Sequence, residues 1–417
     1  MKKDFFRLTP PQEVFQIINR FSPIKAEEEI EIEKALGRVL SCDVVCPSDM
    51  PGFFRATMDG YAVKAKDTFG ASPSLPALLE IKGEVKMGEA PSFSIKDGEA
   101  AKISTGGMLP EGADGVVMIE YCNVIDENTL EVERSISPWE NVMQPDDDTK
   151  KGEILLKKGK RLRPQDIGAL AGLGIQSVRV FKRPKVAIIS TGDEVIPIDK
   201  EPKPGQVRDI NRYTLSSICK TLGAEPIFLG ICPDELEALK MFIKDALDIA
   251  DMVWISGGSS VGVRDLTLEA FKSIEDFELL IHGIAVSPGK PTIIGRSKEK
   301  PIVGLPGQVS SAFIVAEVFM SRLIRRLAGE EISELRPSIQ AIMTRNIESA
   351  PGREEYIRVR LKKEKDTIFA DPIIGKSGLI SPLVEADGLV KIEINKEGIY
   401  KGETVEVIPF LLKEEVC

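Results

Sequence analysis

The chain has 417 residues, 42% of them hydrophobic and 29% charged, with a formal net charge of −10. That length exceeds one ordinary hydrophobic core and implies about two to four domains. The acidity argues against nucleic acid as a partner, and no apolar run approaches the roughly 20 residues that a membrane-spanning helix needs.

The N-terminus, Met-Lys-Lys-Asp-Phe-Phe-Arg, lacks the apolar centre of a signal peptide, which places the protein in the cytoplasm. Residues 4–45 carry helical patterns. Thr9-Pro10-Pro11 can cap a helix bearing Val14, Phe15, Ile17 and Ile18, and a second pattern over 25–36 ends at Gly37. Residues 47–52 break it. Met58-Asp59-Gly60-Tyr61-Ala62-Val63 then reads first as a turn signal, because Asp-Gly sits between apolar residues. From there to about residue 136 the texture is short alternating strands punctuated by Gly and Pro, the pattern of a β-rich domain. The stretch 103–114 inside it reads either as a long hairpin loop or as a polar loop that presents Thr105, with Glu120 beyond, to a neighbouring site. Residues 141–151 form a polar link containing Asp146-Asp147-Asp148, by itself a solvated turn. A helix over 164–173, with Pro164 at its start and glycines after it, rejoins the N-terminal helices and leaves the β-rich piece as an insertion.

From Arg183 onward β and α segments alternate, which implies a mostly parallel sheet between helices. Strand 186–190 runs into Thr191-Gly192-Asp193-Glu194. Strand 252–256 runs into Gly257-Gly258-Ser259-Ser260-Val261-Gly262 and then a helix through Leu268, Ala270 and Phe271. Two further turns follow, Pro288-Gly289-Lys290-Pro291 and Gly304-Leu305-Pro306-Gly307. Glycines there leave backbone N–H groups open to a ligand, and a helix N-terminus adds partial positive charge, so an anion such as phosphate is the natural occupant. In a parallel sheet all three turns gather at the carboxyl ends of the strands. A final helix over 310–327 carries core residues. Five short strands between 339 and 408, with the polar loop 375–381 among them, suggest a small barrel. The boundaries read as 1–45 with 150–180, helical and dimer-forming; 46–149, the inserted β-rich domain; 181–330, α/β; and 331–417, the barrel.

Asp193, Glu194, Asp234 and Asp265 sit beside the turns. Each can be a cap or turn residue alone, and together they can hold a hard cation such as Mg²⁺ against phosphates, with Lys290 as fixed positive charge. Neither a Walker lysine-serine nor a GxGxxG fingerprint is present. Cysteines at 42, 46, 122, 219, 232 and 417 form no CxxC pair and read as scattered reduced thiols. The single histidine, His282, ends an apolar strand without a nucleophile elbow and reads as structural.

In their order, Met58-Asp59-Gly60-Tyr61-Ala62, Thr105-Gly106 with Pro110-Glu111-Gly112-Ala113-Asp114, Ser190-Thr191-Gly192-Asp193-Glu194, Gly257-Gly258 with Gly262 and Asp265, Pro288-Gly289-Lys290-Pro291 and Gly304-Leu305-Pro306-Gly307 resemble the molybdopterin molybdenumtransferase family, related to the C-terminal domain of gephyrin. The resemblance covers nearly the whole chain. It implies a homodimer of four-part subunits with the site shared between subunits, and an α/β domain like the molybdopterin adenylyltransferases. The implied activity is Mg²⁺-dependent release of AMP from adenylylated molybdopterin and insertion of molybdate, giving molybdenum cofactor.

Carried over by motif, Asp59, Thr105, Asp148, Glu194, Asp265 and Lys290 would be catalytic. Gly257, Gly258, Ser259, Gly262, Pro288, Gly289, Pro306, Gly307, Ser377 and Ser381 would bind the substrate, and Glu194, Asp234 and Asp265 would hold the metal. Molybdopterin adenylyltransferase and acceptor molybdoenzymes would be protein partners. The chain departs from the family's pattern at Ser287, where a lysine is common, at Gln308-Val309, and at Met143-Gln144-Pro145, where arginines are expected before Asp148. These changes remove positive charge. They leave room for a paralogue that inserts tungstate or adenylylates its substrate, and for a gephyrin-like scaffold without turnover.

Overall fold

The computed structural model describes residues 8–257, 261–332 and 337–410, with the side chains of residues 261–265 outside the description. The chain divides into two compact units, one comprising 43–158 with 164–176 and the other the remainder.

The smaller unit is built on a six-stranded sheet in the order 115–118, 60–63, 99–103, 77–84, 129–132, 122–124. Strand Gly60–Val63 is buried throughout and flanked on both sides. The Asp-Gly pair therefore opens a strand where a turn was expected. Gly60 is required there because a Cβ would stand 1.8 Å from the Val117 carbonyl oxygen.

In the larger unit, strands β1 (Lys185–Thr191), β2 (Glu225–Cys232), β3 (Met252–Ser256), β4 (Phe277–His282), β6 (Ile293–Ser297) and β7 (Lys300–Leu305) form one sheet in the order β2-β1-β3-β7-β6-β4. A short strand, β5 (Val286–Ser287), falls between β4 and β6 in the chain. The first four strands of the sheet are parallel, β6 runs against them, and β4 runs with them again. The reversal follows from the tight link between β6 and β7, which is too short for a crossover helix.

Alternate residues of the central strands enter opposite cores. Val186, Ile188, Trp254 and Val303 face helices α1 (Asn211–Thr221) and α4 (Val309–Val315). Ala187, Ile189, Val253 and Ile255 face α2 (Leu236–Ile249) together with Ala270 and Phe271 of α3 (Val261–Lys272). A sheet covered on both faces explains why its strands read as continuous apolar runs. After α4 the chain continues through a π-helical turn, Ala316–Met320, into helix Ser321–Leu327. Phe319 of that turn stacks on Phe15 of the N-terminal helix Pro11–Ile18 at 5.2 Å.

The helix expected over 25–36 is a strand, Glu27–Glu31, paired antiparallel with Ser177–Phe181 and followed by a single 3-10 turn. Its glutamates have helix propensity, but strand pairing half-buries its alternate residues and brings Glu28 to Arg38 at 2.5 Å, so tertiary contacts override the local preference.

Strands β8 (Ile339–Met343), β9 (Glu354–Glu364), β10 (Thr367–Pro372), β11 (Gly388–Ile392) and β12 (Thr404–Pro409) close into a five-stranded barrel in the order β9-β10-β8-β12-β11. Strand β5 pairs parallel with β9, which stitches the loop after β4 to the barrel.

Candidate functional site

The three glycine turns do leave one edge of the sheet. His282 pairs with Ile293, Ile293 with Gly304, Gly304 with Ile255, and Ile255 with Ile189, so the ends of β4, β7, β3 and β1 are level. β4 points the same way as the parallel strands because two antiparallel steps separate it from β7. The Pro-Gly-Lys-Pro turn therefore joins that edge although the sheet is mixed.

Two cavities open along it. The first, about 260 Å³, is lined by Ser190, Thr191, Glu194, Arg208, Asp209, Asn211, Ser256, Gly257, Gly307 and Gln308. Asp209 is buried, and one carboxylate oxygen accepts the Arg212 N–H at 3.0 Å while Oδ2 has no hydrogen-bond partner. Ser190 Oγ and Thr191 Oγ1 are likewise buried and unpaired. Buried polar atoms are normally satisfied, and orphans gathered on one cavity point to a bound polar molecule. Asn211 donates to Ser256 Oγ at 2.7 Å and to the Gly307 carbonyl at 2.8 Å, pinning α1 to the ends of β3 and β7. Gly257 has no room for a side chain, since a Cβ would stand 2.0 Å from Thr191 Oγ1 and 2.4 Å from the Thr191 carbonyl oxygen.

The second cavity, about 310 Å³, is lined by Ser287, Pro288, Gly289, Lys290, Pro306, Gln308, Ser311, Arg353 and Ser377. Lys290 is exposed, with no ion pair among the described residues. Arg353, just before β9, adds a second cation whose Nε is buried and unpartnered. Ser377 Oγ donates to Gln308 Oε1, and Ser310 N–H to the Ser377 carbonyl at 3.0 Å, so the barrel loop is fastened to the start of α4. Arg358 reinforces that junction from a buried position, donating to Ser310 Oγ at 2.8 Å and to the Gly375 carbonyl at 2.7 Å. Burial with only neutral partners lowers its affinity for its proton, a sign of uncompensated positive charge.

The carboxylates gather less tightly than expected. The Asp234 N–H donates to Asp193 Oδ1 at 3.2 Å, and Asp234 Oδ1 is buried without a partner. Burial first, then the Asp193 and Glu194 charges, push its carboxyl above the ordinary range. Among the described residues no three carboxylate, imidazole or thiol side chains can hold a metal ion by themselves. Mg²⁺ is commonly bound by one or two carboxylates plus substrate phosphates, and an unpaired Asp234 oxygen beside two acidic neighbours fits that mode.

Gly258 and Ser259 lie outside the described residues, as does the Asp265 side chain; Gly262 falls at the start of α3. Ser381 opens a separate short helix, Ser381–Val384, and lines neither cavity. In the smaller unit, Asp59 accepts the Thr105 N–H at 2.6 Å, and that bond, then the Thr105 hydroxyl, holds its carboxyl below the usual range. Asp148 sits in a turn whose N–H donates to the Met50 carbonyl at 3.0 Å, and no hydrogen bond joins it to Asp59 or Thr105.

The sequence reading passed over Asp209, Asn211, Arg353 and Arg358. The only hint of the first two was an acid and an amide at the start of α1.

Three family models match in succession: "MoeA N-terminal region (domain I and II)" over residues 9–174, "Probable molybdopterin binding domain" over 187–326 and "MoeA C-terminal region (domain IV)" over 340–410. A molybdopterin biosynthesis protein of Methanocaldococcus jannaschii is 37% identical over 93% of each chain. A molybdopterin molybdenumtransferase of Haemophilus influenzae is 32% identical over 92% of this chain and 94% of its own length. A crystal structure of a molybdopterin biosynthesis MoeA protein from Pyrococcus horikoshii superposes with a TM-score of 0.85 at 31% identity, covering 97% of this chain and 100% of that one.

Proposed function

Because the chain belongs to the MoeA family of molybdenum cofactor biosynthesis, we propose that it is a molybdopterin molybdenumtransferase that takes adenylylated molybdopterin, releases AMP and inserts molybdate. The observation that carries this reading is the pair of cavities with opposite chemistry along one sheet edge. The first offers unpaired acceptors, Asp209 Oδ2 above all, to the donor-rich amino-pyrimidinone edge of a pterin. It falls within the stretch matched by the molybdopterin-binding model. The second offers Lys290 and Arg353 to an oxyanion, with serine hydroxyls around them.

Mg²⁺, when bound, would supply positive charge to the substrate's phosphates; Glu194 and Asp234, with Asp265, would hold it. In AMP release water forms a bond to phosphorus and the bond from phosphorus to the bridging oxygen breaks. Asp59, held by Thr105, would complete the site across a homodimer. If so, mixing inactive Asp59→Ala subunits with inactive Lys290→Ala subunits restores part of the activity through hybrid sites. No recovery despite proven subunit exchange removes the shared site.

The deciding experiment supplies adenylylated molybdopterin with Mg²⁺ and either molybdate or tungstate, and follows AMP and finished cofactor. Release of AMP coupled to molybdate insertion is expected. Intact substrate after prolonged incubation favours a binding scaffold, and coupling to tungstate alone favours a tungstate inserter.

A further inference from the structure

Ser287, where the sequence lacks a lysine, does not face open solvent. It is half-buried, lines the Lys290 cavity, and donates from Oγ to Glu355 Oε1 at 3.2 Å. The two residues are register partners in the β5–β9 pairing, so their side chains leave the same face. The other oxygen of Glu355 accepts the Ser349 hydroxyl at 2.7 Å. Glu355 makes no ion pair among the described residues; its partners are two neutral hydroxyls. A neighbouring cavity of about 520 Å³ is lined by Glu355 together with Ser287, Pro288, Arg358 and Ser377, and three of these, Ser287, Pro288 and Ser377, also line the Lys290 cavity.

An unneutralised carboxylate one hydroxyl away from a cationic cavity acts on whatever anion enters it. Hydroxyl donors satisfy its lone pairs without cancelling its charge, and over so short a separation its field reaches the cavity, weakened by salt because the cavity is open to solvent. We propose that Glu355 weakens this chain's hold on its oxyanion, by opposing Lys290 and Arg353 from the Ser287 side. The proposal rests on reading the Lys290 cavity as the oxyanion site. It assigns Glu355 no contact with the oxyanion. Its effect is electrostatic, and it weakens binding.

The test is calorimetric titration of molybdate and of tungstate into the full chain, for the parent protein, Glu355→Gln, Glu355→Asp and Lys290→Ala, at low and at high salt. Glu355→Gln keeps the shape and the acceptor for Ser287 while removing the charge. It is expected to tighten both dianions by a similar factor, roughly three- to ten-fold at low ionic strength and less at high salt. Glu355→Asp keeps the charge and stays near the parent affinity. A misfolded variant cannot bind more tightly, so the expected gain is not open to that explanation. Unchanged or weaker binding by Glu355→Gln overturns the proposal. So does equal tightening by Glu355→Asp, or a gain confined to one oxyanion. The underlying reading fails separately: if Lys290→Ala leaves affinity untouched, the cavity is not the oxyanion site. If Lys290→Ala abolishes binding while Glu355→Gln does nothing, only the role of Glu355 is lost.

Discussion

The Asp209 cavity and the Lys290 cavity share Gln308 and are shaped by turns of one sheet edge, yet one presents unpaired acceptors and the other unpaired cations. The difference lies in who supplies the walls. The first is lined mostly by β1, β3, the start of α1 and the start of α4, with Gly378 of the barrel loop as its one barrel residue. The second borrows Arg353 and Ser377 from the barrel, which β5 fastens alongside through its pairing with β9. On the proposed reading, the barrel side adds the cation Arg353 for an oxyanion, while the acceptors for a ring come from β1 and the start of α1.

Removing the cations should break the comparison most severely. Each charge-assisted contact contributes about 1.5–3 kcal/mol, so Lys290→Ala with Arg353→Ala should raise half-saturating molybdate by on the order of a hundred-fold or more. Affinity for the pterin part, measured with the oxyanion absent, should barely move. An equal loss of both would mean that the two cavities act as one.

Asp209→Asn is the converse. It keeps the bond to the Arg212 N–H through the amide oxygen but removes the charge, and should cost pterin affinity about ten-fold or somewhat more while molybdate titration stays at the parent value. Unaltered pterin binding would assign the orphan oxygen to a structural water.

Gly257→Ala sharpens the contrast through packing. Its methyl must displace Thr191 backbone, which should lower stability by about 1–3 kcal/mol, seen as a lower thermal midpoint, and disturb only the Asp209 side. A midpoint equal to the parent's would show that β1 and β3 can part cheaply.

The smallest effect is expected at Asp234, whose carboxyl is raised by burial and by Asp193 and Glu194. A raised carboxyl destabilises the fold fully above its folded-state pKa, and not at all below the ordinary carboxylate value. Asp234→Asn should therefore stabilise slightly at neutral pH, with the gain fading as pH falls through the raised pKa. Mg²⁺ should lift the parent's thermal midpoint more than the variant's. A gain independent of pH would rule out charge repulsion as its source.

The alternation of strand and helix, the apolar runs of a doubly covered sheet and the five barrel strands were legible because each is a local pattern of side-chain polarity. The three glycine turns were legible as glycine and proline breaks in or beside apolar runs, and at Gly257 the Thr191 backbone leaves no room for a Cβ. Residues 27–31 misled because their pairing partner lies at 177–181, and no local propensity reports a neighbour so distant in the chain. Asp-Gly at 59–60 misled because the need for glycine there is the Val117 carbonyl. Arg353 and Glu355 were invisible beside Lys290 for a related reason. More than sixty residues separate them in the chain, and only the β5–β9 pairing brings them to one cavity. The sequence by itself determined the class of elements and the places where glycine turns leave the sheet, because both are local patterns along the chain. Charge at the site was decided by the tertiary structure, because the field at a point sums over whatever side chains folding places around it.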